Sequence, residues 1–338
     1  MTKMLTEEQV ARGQQLLAAV RDGANQVLLG QGELVELCLI AMCARGHLLL
    51  EGLPGLGKTE LVKALATLTG LSLRRVQFTP DLLPSDITGG PILQEQDGER
   101  RMEFRPGPLF ANLVLADEIN RSSPKTQSAL LEGMQERSVT VLGETHPLPT
   151  PFFVLATQNP IELEGTYPLP EAQLDRFLFK VEVPPVGAET MADILVSRRR
   201  GEPPAVTAAL QEGELDELFG LVDEVFLPTA VASYIARLVA ATHPDQDGAA
   251  DYVRDAVRFG ASPRAAIAIG EAARAAALLA GRPNVDFADV SRVAAAALAH
   301  RLVLHHAAVV GGVTAPEVVQ RLLDDVDPVG HDLPAEVR

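Results

Sequence analysis

The chain has 338 residues, of which 47% are hydrophobic and 22% are charged, and its 45 acidic and 29 basic residues give a net charge of -16. This length predicts two or three domains, and no apolar run is long enough to span a bilayer. Because proteins that grip nucleic acid need Lys and Arg to replace the phosphate counterions, the acidic balance disfavours nucleic acid and anionic membranes as partners.

The N-terminal segment predicts two helices, over Glu7 to Val20 and over Glu33 to Ala44. Acidic residues stand near the N-terminus where a signal peptide would need an apolar stretch, so a cytoplasmic location is expected. The only two cysteines, Cys38 and Cys43, lie in the second helix. We interpret them as buried structural thiols rather than as a redox pair.

A glycine-rich loop follows, between the strand-like run HLLLEG and a helix predicted over Lys58 to Thr69. The loop matches the phosphate-binding pattern G-x-x-x-x-G-K-[ST] with Gly52, Leu53, Pro54, Gly55, Leu56, Gly57, Lys58 and Thr59. Its glycines let backbone N–H groups turn toward phosphate oxygens, and the following helix presents its positive dipole end. Lys58 is expected to reach the β- and γ-phosphates of ATP, and the Thr59 hydroxyl to coordinate Mg²⁺.

A second strand is predicted over Leu73 to Phe78, followed by a segment that is far longer than a simple crossover needs. This segment predicts a hairpin, with strands over Ile87 to Leu93 and Arg101 to Phe104 and a turn over Gln96 to Glu99.

The next apolar run, Leu113 to Ala116, ends in two carboxylates, Asp117 and Glu118. In a parallel sheet, ligands bind at the edge formed by the carboxyl ends of the strands. We expect Asp117 to hold the Mg²⁺ shell and Glu118 to take a proton from the attacking water. The alternative is that the two carboxylates merely cap the helix that follows.

Further elements complete an α/β pattern. They are a helix over Pro124 to Arg137, a hairpin with strands Ser138 to Leu142 and Thr145 to Leu148 around Gly143-Glu144, and strands over Phe152 to Thr157 and Phe179 to Val183. Strands that alternate with helices predict a doubly wound parallel sheet. Val183-Pro184-Pro185 marks a change of character, so we predict an ATP-binding domain over residues 1–185 and an all-helical lid domain over residues 186–338.

Helices in the second domain are predicted over Arg264 to Ala280 and over Ala288 to His305. The latter carries His300, His305 and His306. Because adjacent residues diverge on a helix and no nearby Cys or acidic residue completes a ligand set, we interpret these histidines as a partly exposed helical face rather than a metal site.

The order of these motifs resembles the AAA+ superfamily of ATPases, and specifically its MoxR family, over nearly the whole chain. The two hairpins resemble those of the clade that contains MoxR proteins, magnesium chelatases and replicative helicases. Within that clade, Asp117-Glu-Ile-Asn-Arg121-Ser-Ser-Pro124 and Leu131-Glu-Gly-Met-Gln-Glu-Arg137 are similar to MoxR sequences.

The resemblance implies roles for three more residues. Asn159, in Thr157-Gln-Asn-Pro, matches sensor 1, which orients the attacking water. Arg176 matches the arginine finger, which reaches the neighbouring subunit's nucleotide, and Arg264 matches sensor 2. The structural alternatives are that Asn159 merely makes a turn and that Arg176 forms a surface ion pair. Arg264 lies in a first helical turn, where a cation is unfavourable and where a nucleotide phosphate would offset its charge. Arg121 and Arg137 stay outside the catalytic set.

The resemblance implies a Mg²⁺-dependent ATPase that works as a homo-oligomeric, hexameric ring and remodels a client protein complex as a chaperone. A von Willebrand factor A domain protein is the implied partner. Alternatives are a nucleic-acid motor of the same clade, a magnesium-chelatase-like motor subunit and a metabolite kinase. The charge of -16 argues against the first, and Glu118 and Arg176 argue against the kinase.

Overall fold

A computed structural model of the protein describes residues 4–96, 99–160, 165–198 and 201–329. The helices are α1 Glu7–Val27, α2 Gly32–Cys43, α3 Lys58–Thr69, α4 Pro84–Thr88, α5 Pro124–Glu136, α6 Glu171–Leu174, α7 Ala188–Ser197, α8 Glu214–Glu224, α9 Thr229–Ala240, α10 Asp251–Ala256, α11 Pro263–Leu279, α12 Phe287–Leu298, α13 His306–Val310 and α14 Ala315–Asp325. The strands are β1 Leu48–Glu51, β2 Leu73–Gln77, β3 Gly89–Gln96, β4 Glu99–Pro106, β5 Leu113–Asp117, β6 Ser138–Val141, β7 Glu144–Pro147, β8 Phe153–Gln158, β9 Phe179–Glu182, β10 Val257–Phe259 and β11 Val303–Leu304.

The described residues group into two units. The sheet unit comprises those within 19–177 and 181–215, and the helical unit comprises those within 1–18, 178–180 and 216–338. The domain division proposed at residue 185 stays a prediction.

A five-stranded sheet with the order β2-β5-β8-β1-β9 forms the centre of the fold. The pairs β2–β5, β5–β8 and β1–β8 are parallel, with α3 connecting β1 to β2. The predicted α/β fold with a parallel sheet is therefore confirmed. Because Gln77 lies opposite Asp117 and Glu51 lies opposite Gln158, the carboxyl ends of four strands are level at one edge.

One face of this sheet packs on a continuous apolar core. The core includes Phe78, Ile87, Val114, Leu130 and Phe177, each of which is almost completely buried. Burying one such side chain is worth about 1.5–3 kcal/mol, so this layer fixes the strands that carry the site.

His47 joins three elements inside the sheet unit. Its Nε2 donates a hydrogen bond to the Met134 carbonyl at 3.1 Å, and its Nδ1 accepts one from the Val154 N–H at 3.0 Å. Burial lowers the pKa of His47 to about 4, while the hydrogen bond to Met134 opposes the shift. The imidazole is therefore neutral at physiological pH and locks α5 to β8.

Both predicted hairpins are present. The first runs from Gly89 opposite Pro106 to Gln96 opposite Glu99, so the outer residues of the turn predicted over Gln96 to Glu99 are paired strand residues. The middle of that predicted turn, Asp97-Gly98, lies outside the described residues. Its first strand begins at Gly89 rather than at Ile87, because Ile87 and Thr88 end α4. In the second hairpin, Leu142 and Gly143 have φ angles of 51° and 86°, so the turn is one residue earlier than predicted and matches type I′.

The helical unit confirms the predicted helical lid and adds a short antiparallel ladder, β10–β11. Buried alanines let α11 and α12 pack closely. The single helix predicted over Ala288 to His305 is wrong: α12 ends at Leu298, and a 3₁₀ turn follows over Ala299–Arg301. The chain then extends because Leu304 pairs with Val257.

The histidines in this region separate as a result. His300 is buried, whereas His305 and His306 are exposed, so the three histidines do not form the single, partly exposed helical face that was predicted. Among the residues described by the structure, no group of three or more histidine, cysteine and acidic side chains is placed to hold a metal ion.

Two further sequence predictions concern the cysteines and membrane-spanning segments. Cys38 and Cys43 are both free and buried, and burial raises the pKa of each thiol to about 12, as expected of structural cysteines. Across the described ranges, none of the helices combines the length and apolarity needed to cross a bilayer.

Candidate active site

The glycine-rich loop connects the end of β1 to the start of α3. Gly57 caps α3 in the left-handed conformation, with φ at 83°, and a Cβ there would lie 2.6 Å from Leu28. Only glycine fits this position without strain. The Gly52 N–H donates to the Gln158 carbonyl at 3.2 Å, which ties the start of the loop to the end of β8.

Lys58 folds back over this loop. Its Nζ donates a hydrogen bond to the Gly52 carbonyl at 2.6 Å. Burial lowers the pKa of Lys58, and the nearby carboxylates of Asp117, Glu118 and Glu51 oppose that shift. The ammonium is therefore held at the loop, near the carboxylates of Asp117, the last residue of β5, and of Glu118, which follows it.

A cavity of about 370 Å³ brings the predicted groups together at this sheet edge. Its lining includes the loop residues Pro54, Gly55, Gly57, Lys58 and Thr59, the carboxylates Asp117 and Glu118, the amide of Asn159, and Glu60, Arg75, Gln77 and Thr157. Five of the eight predicted loop residues, both carboxylates and the Asn159 amide thus share one cavity, whereas its lining does not include Gly52, Leu53 and Leu56.

Both carboxylate oxygens of Asp117 accept hydrogen bonds. The Thr157 hydroxyl donates to Oδ1 at 2.6 Å. The Arg75 guanidinium donates to Oδ2 from Nη2 at 2.7 Å and from Nε at 3.2 Å. The side chain of Asp117 is thereby fixed in direction.

Glu118 has a backbone conformation that non-glycine residues rarely adopt, with φ at 56°. Its N–H donates to Thr157 Oγ1 at 2.9 Å, so one threonine holds both acidic residues. Its Oε2 accepts hydrogen bonds from Gln77 Nε2 at 2.7 Å and from Arg121 Nη1 at 3.0 Å. The carboxylate is held inside the cavity rather than capping the following turn, where no side-chain cap is formed.

Asn159 is buried at the end of β8, and its carbonyl accepts a hydrogen bond from Asn120 Nδ2 at 3.3 Å. Asn120 belongs to the turn directly after Glu118. This contact brings the segment after β8 against the segment after β5.

Arg176 lies outside this cavity. It lines a separate cavity of about 220 Å³ with Ser128, Glu132, Gln135, Glu136 and Gln173. Its backbone N–H bonds to the Gln173 carbonyl. Within the described part of the chain, its guanidinium makes no hydrogen bond and no ion pair.

Arg264 belongs to the helical unit, where it is an exposed residue in the first turn of α11. Arg137 is the exposed C-terminal cap of α5, with φ at 51°. Arg121, which the sequence left outside the site, contacts Glu118.

Sequence reasoning missed Arg75, Gln77 and Thr157. Thr157 is a polar residue near the end of an apolar strand, a signal that could have found it. Arg75 and Gln77 are spaced two apart on β2, but their meaning depends on β2 being the neighbour of β5.

The residues present fit a magnesium–nucleotide complex. A hydroxyl from Thr59 and a carboxylate from Asp117 are hard oxygen donors, as Mg²⁺ prefers, and they share a cavity with the Lys58 ammonium. The left-handed glycines Gly55 and Gly57 let the loop turn around an anion at the start of α3.

Comparisons with known proteins agree with this geometry. The profile described as "ATPase family associated with various cellular activities (AAA)" matches residues 47–179, and the profile described as "AAA lid domain" matches residues 249–322. The chain is 45% identical over 303 residues to Chaperone MoxR1 of Mycobacterium tuberculosis, covering 89% of this chain and 79% of that protein. It is 44% identical over 314 residues to the uncharacterized protein YeaC of Bacillus subtilis, covering 92% of this chain and 94% of that protein.

A solved structure shares the fold. The crystal structure of a proposed ATPase from Cytophaga hutchinsonii superimposes with a TM-score of 0.87 at 39% identity, covering 95% of this chain and 97% of that one.

Proposed function

The chain belongs to the MoxR family of AAA+ ATPases, and from that premise we propose that it assembles into a ring and uses ATP hydrolysis to remodel a client protein. The observation that carries the proposal is the shared cavity of the glycine loop, Asp117, Glu118 and Asn159. Hydrolysis with water as acceptor needs a base beside the metal-binding carboxylate, and the pair Asp117-Glu118 supplies both.

Each group in the cavity has a proposed task. The loop amides from Gly52 to Gly57 and the Lys58 ammonium hold the β- and γ-phosphates of ATP. Thr59 and Asp117 would hold Mg²⁺, which neutralises phosphate charge when it is bound. Glu118 accepts the proton of the attacking water on its carboxylate, and the Asn159 amide orients that water.

Arg176 is proposed to act on the nucleotide of a neighbouring subunit. Two observations support this: its guanidinium has no partner within the described part of its own chain, and it lines a cavity that Lys58 and Asp117 do not line. A cation supplied in trans stabilises the charge that spreads over the γ-phosphate, so full activity would require a ring. Arg264 is proposed as a further cation for the phosphates.

The two hairpins are proposed to contact the client. Leu93 and Met102 lie directly opposite each other on β3 and β4, and each residue is 61% exposed. Leu142, at the tip of the second hairpin, is 79% exposed. The hairpins contact each other, because Phe104 stacks on His146 with ring centroids 3.9 Å apart. Single exposed apolar residues are common on protein surfaces, but apolar side chains that lie side by side, as Leu93 and Met102 do, are typical of interaction sites.

Sedimentation velocity tests the ring. We expect the chain to sediment as an oligomer with Mg²⁺ and a non-hydrolysable ATP analogue, and we expect Lys58→Ala to abolish nucleotide-dependent assembly. A single boundary at the monomer mass under every condition would contradict the ring.

The client role needs a separate test. Glu118→Gln should retain clients in the presence of ATP, and Leu93→Ser combined with Met102→Ser should release them without reducing ATP affinity. Equal retention by both variants would exclude this hairpin as the contact. A von Willebrand factor A domain protein is the first candidate to add as a purified partner.

A further inference from the structure

Two adjacent arginines on the edge strand β2 differ in what they contact. Arg75 lies opposite Leu115 in the β2–β5 register, so Asp117 is its diagonal neighbour on the same face of the sheet. Its guanidinium donates two hydrogen bonds to Asp117 Oδ2, at 2.7 and 3.2 Å. Arg74 alternates to the opposite face.

The two oxygens of Asp117 are divided between two donors. Oδ1 is held by the Thr157 hydroxyl, which also receives the Glu118 N–H. Oδ2 is held only by Arg75 among the contacts within the described ranges. A cation that binds Asp117 through Oδ2 therefore competes with a guanidinium for this oxygen.

We propose that Arg75 is a built-in competitor of Mg²⁺ and that it sets how much Mg²⁺ the nucleotide site requires. This inference rests on the proposed nucleotide site. It makes Arg75 a positioning residue that acts through Asp117. Mg²⁺ would interact fully with Asp117 Oδ2 only after the guanidinium moves away, because two cations at one oxygen repel each other.

The guanidinium has a defined resting position but is weakly held. Its Nη2 also donates to Gln77 Oε1 at 2.8 Å, which fixes the plane of the group over Asp117. Its side chain is 52% exposed, so solvent can take over its hydrogen bonds when it leaves. The Asp117 side chain is only 14% exposed, but the arginine side of the pair faces solvent, which weakens the contact and allows it to be exchanged for a divalent ion.

The test is a Mg²⁺ titration of bound nucleotide, which does not depend on turnover. The protein is mixed with a fluorescent methylanthraniloyl-ADP in EDTA, and excess Mg²⁺ is then added in steps while fluorescence reports binding. Arg75→Gln should lower the half-saturating Mg²⁺ concentration about three- to tenfold, because a competing cation is removed. Arg75→Lys keeps the charge but loses the second hydrogen bond to Asp117. Its half-saturating Mg²⁺ concentration should lie between those of the unaltered protein and of Arg75→Gln.

Arg74→Gln is the matched control, since it removes the same charge from the adjacent position on the other face. It should leave the Mg²⁺ midpoint unchanged, and the melting temperatures of all variants should agree. An unchanged or higher Mg²⁺ requirement in Arg75→Gln would overturn the proposal. If the unaltered protein binds the ADP analogue neither with nor without Mg²⁺, the nucleotide site itself is wrong, and that failure is distinct from a failure of Arg75 alone.

Discussion

Glu118 occupies a left-handed backbone position and receives side-chain hydrogen bonds from Gln77 and Arg121. A non-glycine residue in this region costs on the order of 1 kcal/mol, which the surrounding contacts must offset. The hydrogen bond from its N–H to Thr157 is one such contact. The backbone therefore directs this carboxylate into the cavity at some cost in stability.

Replacing Glu118 with Gln should keep nucleotide binding and remove turnover. Lys58, Thr59 and Asp117 are untouched, while the group that accepts the proton is lost. We expect phosphate release to fall about 10²–10⁴-fold with ATP affinity nearly unchanged. Glu212→Gln, at an exposed loop position, is the control for the loss of one charge. Hydrolysis by Glu118→Gln at the normal rate would show that another group activates the water.

His47 predicts a pH dependence of stability. Its pKa is about 4 in the folded protein against an ordinary value of 6.5, because burial disfavours the charged ring. Above pH 6.5 the ring is neutral in both states, and its contribution is fully present. As the pH falls toward 4, the unfolded chain takes up a proton that the folded chain does not, so the free energy of unfolding decreases by about 3 kcal/mol.

His47→Gln isolates this contribution, because the amide can donate to Met134 and accept from Val154 without titrating. Urea unfolding of both proteins at pH 7, 6 and 5 measures the effect. The stability difference between them should shrink by about 2 kcal/mol from pH 7 to pH 5. A difference that stays constant over this range would mean that His47 titrates normally in the folded state.

At the scale of elements, the first hairpin depends on a glycine at its base. Gly89 has φ at 85°, and a Cβ there would lie 2.3 Å from the Arg105 carbonyl oxygen and 2.5 Å from the Gly107 nitrogen. Both are backbone atoms at the end of the β3–β4 ladder, so neither can move without breaking the pairing of Gly89 with Pro106.

Gly89→Ala should therefore destabilise the hairpin by about 3 kcal/mol or more. Gly143→Ala is the matched control, because Gly143 has φ at 86° with no atom within 4 Å of the added Cβ. It should cost only about 1 kcal/mol, the backbone strain alone. Thermal unfolding measures the total loss of stability in each variant, and hydrogen exchange of the β3 and β4 amides shows whether that loss lies in the first hairpin. Equal effects of the two substitutions would contradict the close contact at Gly89.

At the scale of the whole molecule, Arg176 tests whether the active unit is larger than one chain. Arg176→Ala should leave nucleotide affinity intact and remove most hydrolysis, because the arginine is proposed to complete the neighbour's site. Arg176→Ala and Glu118→Gln subunits should each be inactive alone. In a mixed ring, some interfaces carry both defects and others carry neither, so part of the activity should return.

Native mass spectrometry must show that the mixed rings form. If they form and remain inactive in every ratio, Arg176 acts within its own subunit or has a structural role. The proposal that neighbouring subunits complete each other's sites would then lose its main support.

Motifs whose residues are close together in the sequence predicted most of the residues that line the candidate site. The spacing from Gly52 to Thr59, the carboxylates Asp117 and Glu118 after an apolar strand, and Asn159 after another indicated the cavity that the structure contains. Parallel strands align their carboxyl ends, so residues that follow separate strands converge once the α/β pattern is recognised.

Tertiary structure decided what depends on which strands and segments become neighbours. The order β2-β5-β8-β1-β9 places Arg75 and Gln77 against the carboxylates of Asp117 and Glu118. No local pattern in β2 predicts these contacts. The pairing of Leu304 with Val257 ends the helix that periodicity alone continues through His305. In both cases the deciding contact joins residues far apart in the chain, and its free energy exceeds the local preference of either segment.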